Sequence, residues 1–135
     1  MRFVDTNVLL YAVSTADEER AKQERAREIL AEKDLALSVQ VLREFYVQST
    51  HRARPERLSH DQAVSLIESW MRFPVQEMTV NVMRNALATA ARWDISYWDA
   101  AVVEAARETS CATLLSEDLQ DGMDLAGVRV ENPFA

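Results

Sequence analysis

Hydrophobic positions change their period along the chain. Short apolar runs without periodicity occur at Phe3-Val4, Leu35-Ala36-Leu37 and Leu114-Leu115. Between them lie longer stretches whose apolar residues recur every three to four positions. The first kind of run predicts short, buried strands, the second amphipathic helices. Strands are expected at Phe3-Val4, over 34–38, near Val75, over 111–115 and over 128–130. Helices are expected from Thr6 and Asn7 through Val13, over 17–33, over 39–50, from a cap at Ser59 to about Arg72, from a cap at Thr79, and from Tyr97 onward. Strands that alternate with helices predict an α/β fold with a mainly parallel sheet.

Several boundaries have a chemical signature. Ser59 followed by Gln62 forms a capping box, and Ser96 with Asp99 resembles one. Pro55 and Pro74 break helices. The charged stretch 17–33, with acids at its start, reads as a solvated helix. The periodicity assigns Val39, Leu42, Phe45 and Tyr46 to the core, together with Val64, Ile67, Trp70 and Met71. Val80, Met83, Leu87, Ala90 and Ala91 share one face of the next helix and are assigned likewise. Trp98 with Ala100 to Val103 predicts a helix buried on most sides.

The acids change the picture. Asp5 and Asp118 each stand just beyond an apolar strand. Glu44 and Asp99 stand early in helices that follow a strand or a loop. In an open parallel sheet, ligands bind beyond the carboxyl ends of the strands, so all four carboxylates are expected at one edge. Asp5 also reads as an ordinary N-cap for the helix after it. Gathered carboxylates repel one another and raise at least one pKa unless a cation neutralises them. Oxygen donors without a Cys or His set suit Mg²⁺, or Mn²⁺, rather than zinc. Such a cation assists phosphodiester hydrolysis.

Composition sets the limits. With 135 residues, 48% hydrophobic and 27% charged, the chain suits one domain spanning 1–135. Its two glycines open no phosphate-binding loop, and no dinucleotide fingerprint or Ser-His-Asp arrangement competes. A net charge of −7 argues against a surface with general affinity for nucleic acid. The basic run His51 to Arg57 reads as a polar loop, or as a phosphate contact through Arg52, Arg54 and Arg57, with Arg43 and Arg92 as further candidates. A single cysteine, Cys111, suits a reducing cytosol, and neither a leader nor a membrane span is expected, so a cytoplasmic protein is anticipated.

Phe-Val-Asp-Thr-Asn at 3–7, Leu-Arg-Glu-Phe at 42–45, Tyr-Trp-Asp-Ala at 97–100 and Leu-Ser-Glu-Asp-Leu at 115–119 resemble the acidic motifs of PIN-domain ribonucleases. Length and coverage resemble the VapC-type toxins of bacterial toxin–antitoxin pairs. The resemblance implies a three-layer α/β/α fold around a sheet of about five strands. It implies catalytic roles for Asp5, Glu44, Asp99 and Asp118, with Asp5, Asp99 and Asp118 as metal ligands. Thr6, Asn7 and Ser116 correspond to residues that orient those acids; Asp121 and Glu117 stay open as further members. It also implies RNA as substrate, a cognate antitoxin and a homodimer. Two other readings stand beside it. One is a haloacid-dehalogenase-like phosphatase with Asp5 as nucleophile, disfavoured because Asn7 stands where that family usually carries a second Asp. The other is a non-catalytic PIN-like regulatory binding protein.

Overall fold

The computed structural model describes all 135 residues. Six helices surround one sheet. The strands are β1 (Arg2–Val4), β2 (Leu35–Ser38), β3 (Val75–Gln76), β4 (Thr113–Leu115), β5 (Asp124–Leu125) and β6 (Val128–Glu131). The helices are α1 (Thr6–Ala12), α2 (Arg20–Leu30), α3 (Val39–Ser49), α4 (His60–Trp70), α5 (Val80–Trp93) and α6 (Tyr97–Glu108). Strand order is β3-β2-β1-β4-β6-β5. Every pairing is parallel except β5 with β6.

The order explains the layers. From β1 the chain steps outward to β2 and then β3, and afterwards returns to β4 on the other side of β1. Parallel crossovers are right-handed, so steps in opposite directions place their helices on opposite faces. Helices α1 to α4 pack among themselves: α1 on α2 and α3, and α3 on α4. On the other face α6 lies across β2, β4 and β6, with α5 packed against α6. The direction of travel reverses between β1 and β4, so the crevice beyond their carboxyl ends is the topological switch point of the sheet.

Caps fall at Ser59, Thr79 and Ser96 as the side chains predict, and Ser38, read as the end of a strand, caps α3 as well. Ser38, Ser59, Thr79 and Ser96 each accept an N–H bond from the first turn of α3, α4, α5 and α6. Ser59 and Gln62 make the full reciprocal box. The core is centred on Phe3, Leu9, Leu35, Leu37, Phe45, Leu114 and Leu115, all fully buried.

Several expectations need correction. The helix expected over 17–33 opens as a 3-10 turn, Asp17–Glu19, and α2 ends at Leu30. The sheet has six strands rather than five, because Asp124–Leu125 pairs with β6 across a turn at Ala126 and Gly127, both at positive φ. Met71, Val80, Met83 and Leu87 are exposed, whereas Trp70, Val82 and Ala86 fill the buried positions. Ala91 is exposed too. Val64 lies at the surface, 36% exposed. Trp98, expected inside, is 65% exposed. Periodicity identifies an apolar helix face, but burial requires another element to cover that face.

Candidate active site at the sheet switch point

Parallel pairing sets Val4 beside Leu115, so the residues that follow each strand emerge together. Asp5 N–H donates to the Leu115 carbonyl at 3.0 Å, which extends the ladder by one step. Asp5 therefore stands one residue beyond β1 and is the N-cap of α1. Its carboxylate is buried, with 4% exposure. Oδ1 accepts the Thr6 N–H at 2.7 Å and Oδ2 accepts the Ser116 hydroxyl at 2.7 Å. Capping and site-building are one arrangement: the helix start fixes one oxygen and the neighbouring strand fixes the other.

Ser116 is fully buried. Its Oγ also accepts the Asp118 N–H at 3.1 Å, which holds the turn after β4 against Asp5. Asn7 bridges the same turn, with its Oδ1 accepting the Glu117 N–H at 3.3 Å and its Nδ2 donating to Ser116 Oγ at 3.4 Å. Thr6 Oγ1 donates to Glu44 Oε2 at 2.8 Å, and Gln40 Nε2 donates to Glu44 Oε1 at 3.2 Å. Glu44 is thus tied to the residue next to Asp5. It reaches the crevice because α3 starts at Ser38, on the strand adjoining β1.

Asp99 arrives from the opposite face. Helix α6 runs back toward the start of β4, so its first turn lies at the carboxyl edge of the sheet. Ser96 Oγ accepts the Asp99 N–H at 3.1 Å, but the return bond from Ser96 N–H is not made. Only half of the capping box exists, and the Asp99 carboxylate is not committed to it.

Electrostatics links the four acids. Burial pushes the Asp5 carboxyl up to about 7 against the hydrogen bonds from Ser116 and Thr6, with repulsion from Asp118 and Glu44 adding to the rise. Asp99 is also raised, first by burial and then by the charges of Asp118 and Glu44, while Ser96 partly offsets this. Both shifted groups feel the same two neighbours, so the four share one field. They do not form a closed cage, because no three acidic, His or Cys side chains gather at a single point.

The sequence matches the PIN domain family model over residues 2–120. The chain belongs to the PIN-domain family. Comparison by sequence with curated proteins finds no match. Among solved structures, this PIN domain is similar to VapC20 of Mycobacterium tuberculosis, described as a sarcin-ricin-loop-cleaving toxin. The TM-score is 0.68 at 20% identity, covering 87% of this chain and 92% of that one. It is similar to a toxin–antitoxin complex from Klebsiella pneumoniae, with TM-score 0.70, 17% identity and 98% of each chain covered. FitAcB from Neisseria gonorrhoeae gives TM-score 0.66 at 18% identity, with 99% of each chain covered. At these identities the likeness speaks for the fold.

Around the acids of this PIN domain, the expected basic residues divide. Arg43 lines the same recess as Glu44. Arg52, Arg54 and Arg57 follow the far end of α3, about 16 Å along its axis from Ser38 at ~1.5 Å per residue. Arg92 stacks on Trp93, its guanidinium 4.9 Å from the ring centre. Asp121 accepts the Asn132 N–H at 2.9 Å near the chain end. Glu117 turns aside: it accepts from Lys22 Nζ at 2.8 Å and Tyr11 OH at 2.6 Å. Burial opposes its ionisation, but these two donors hold the Glu117 carboxyl below its usual range. Two contributors went unrecognised in the sequence. Gln40 braces Glu44, a contact its i, i+4 spacing could have signalled. Trp98 stands exposed beside Asp99 and carried no signal of its orientation. No helix is long and apolar enough to cross a membrane.

Proposed function

We propose that this chain is a Mg²⁺-dependent endoribonuclease of the VapC type, the toxin half of a toxin–antitoxin pair. The observation that carries the reading is the buried Asp5, braced on both oxygens and sharing one repulsive field with Glu44, Asp99 and Asp118. A group of carboxylates whose ionisation is opposed by burial and by one another calls for a neutralising cation. The donors are oxygens alone, which fits Mg²⁺ and admits Mn²⁺. Asp5, Asp99 and Asp118, which stand apart in this structure, would draw together to hold it. When bound, such a cation neutralises charge on the phosphodiester and makes water a better nucleophile.

The chain's own residues supply the rest. Thr6, Asn7 and Ser116 fix Asp5 and the 116–118 turn, so the acids need little reordering when charge develops. Glu44, held by Thr6 and Gln40, is oriented to accept a proton from the attacking water. The phosphatase reading is the weaker one, since Asn7 stands where that family usually carries a second Asp.

Toxin–antitoxin complexes among the structural neighbours support a cognate antitoxin as partner. An antitoxin arginine would suit the acidic crevice. The exposed Val80, Met83 and Leu87, three and four positions apart on α5, support association of two copies. The deciding experiment is cleavage of total cellular RNA by the purified protein in Mg²⁺, Mn²⁺ or EDTA, beside Asp5→Asn and Asp99→Asn. Discrete products that require metal and both acids are expected. Cleavage that persists in both variants would refute the mechanism.

A further inference from the structure

A recess of about 500 Å³ lies beside Glu44, between α3 and the start of α6. That is within the ~300–1,000 Å³ of small-molecule sites. Gln40 and Glu44 line it together with Arg43 and Gln48 of α3 and Trp98 of α6. Trp98 is 65% exposed, more than any other large hydrophobic side chain of the protein. Packing gives no reason to hold an indole in water, since burying it would be favourable. Its backbone is nevertheless anchored, and a neighbouring ring touches it. The Tyr97 ring meets it edge-on at 5.2 Å, and its carbonyl accepts from Gln40 Nε2 at 3.1 Å.

The same Gln40 nitrogen donates to Glu44. Both partners are acceptors, so the orientation of the amide is chemically determined. One amide thereby ties the indole-bearing turn of α6 to a carboxylate of the candidate site. The arrangement leaves Gln40 Oε1 as the one buried side-chain polar atom without a partner. Arg43 and Gln48 are exposed, and their side chains make no ion pair or hydrogen bond within the chain. The recess therefore joins an open aromatic face, a free guanidinium and a free amide next to Glu44, with Asp99 following Trp98 in the chain. Stacking on aromatic rings and charge contacts to phosphate are the two components of single-stranded RNA binding.

We infer that Trp98 is a stacking platform for a nucleobase of single-stranded RNA next to the scissile phosphate, with Arg43 and Gln48 on an adjoining phosphate. The inference rests on the nuclease reading for its substrate, but its test does not need cleavage. Binding of a fluorescein-labelled oligoadenylate is measured by anisotropy in the non-cleaving Asp5→Asn background. Trp98→Ala is expected to weaken binding about 5- to 150-fold, the range for loss of one stacked base. Trp98→Phe keeps a ring and restores most of it. Arg43→Gln lowers affinity and reduces the salt dependence by about one ion. In the cleaving protein, Trp98→Ala raises KM far more than it lowers kcat.

Trp98 is exposed, so urea melts of these variants should overlay the parent. Trp98→Ala binding oligoadenylate as tightly as the parent overturns the inference, and assigns this face to a protein ligand instead. If no RNA is cut under any metal condition but binding still depends on Trp98, the nuclease reading fails and the base site stands. If cleavage requires Asp5 while Trp98→Ala changes neither binding nor KM, the base site fails and the nuclease reading stands.

Discussion

Replacing Asp5 by Asn should stabilise the metal-free protein above neutral pH while destroying its activity. An ordinary Asp carboxyl titrates at 3.8, and burial pushes that of Asp5 up to about 7 in the fold. Between these values the native state holds a proton that the unfolded chain has lost. Stability is therefore fully present below pH 4, falls as pH rises toward 7, and levels off above it. A gap of about three pH units at ~1.4 kcal/mol each sets an upper bound of about 4 kcal/mol. Asn carries no charge and escapes this cost. Its oxygen can still accept the Thr6 N–H, but its amide nitrogen cannot accept the Ser116 hydroxyl, a loss of about 1 kcal/mol. The net gain is about 2–3 kcal/mol, or about 6–12 °C in Tm for a chain of this size. The assay is urea or thermal melting in EDTA from pH 4 to 8.5, wild type against Asp5→Asn. The two curves should diverge through this window, with the variant higher at pH 8. Millimolar Mg²⁺ should raise the wild type alone and narrow the gap. A variant less stable than wild type at pH 8, or a difference that does not change with pH, would refute the reasoning.

Ser116→Ala removes the donor to Asp5 and the acceptor for the Asp118 N–H. It should lower kcat at least tenfold, with about 1–2 kcal/mol lost in urea melts at pH 5, where Asp5 is protonated. Thr6→Val frees Glu44 from its 2.8 Å bond and should lower kcat several-fold while leaving the Mg²⁺ concentration for half-maximal cleavage unchanged, as seen in metal titrations. Phe45→Ala opens a void beside Trp70, whose ring lies 4.8 Å away edge-on, and should cost about 3–5 kcal/mol by urea denaturation. Leu87→Glu places a charge on the exposed stripe of α5; light scattering should show a dimer for the wild type and a monomer for the variant, without loss of helix content.

The sequence alone determined what depends on neighbours along the chain. Strand and helix alternate because the apolar period changes, and helices start at Ser38, Ser59, Thr79 and Ser96 because a hydroxyl can satisfy an N–H of the first turn. The placement of Asp5, Asp99 and Asp118 at strand ends or a helix start was legible for the same reason, whereas Glu44, read as early in its helix, stands in the middle of α3. What the tertiary structure decided is who stands beside whom across more than a turn of chain. Only the strand order makes Asp5 and Ser116 partners, 111 residues apart. Only pairing with β6 makes Asp124–Leu125 a strand, since two residues carry no period. The apolar faces containing Val80, Met83, Leu87 and Met71 read as core, and the fold leaves these residues in water because nothing in this chain covers them. Trp98 belongs with them: its hydrophobicity is a property of the residue, but its exposure depends on where α3 and α6 come to lie.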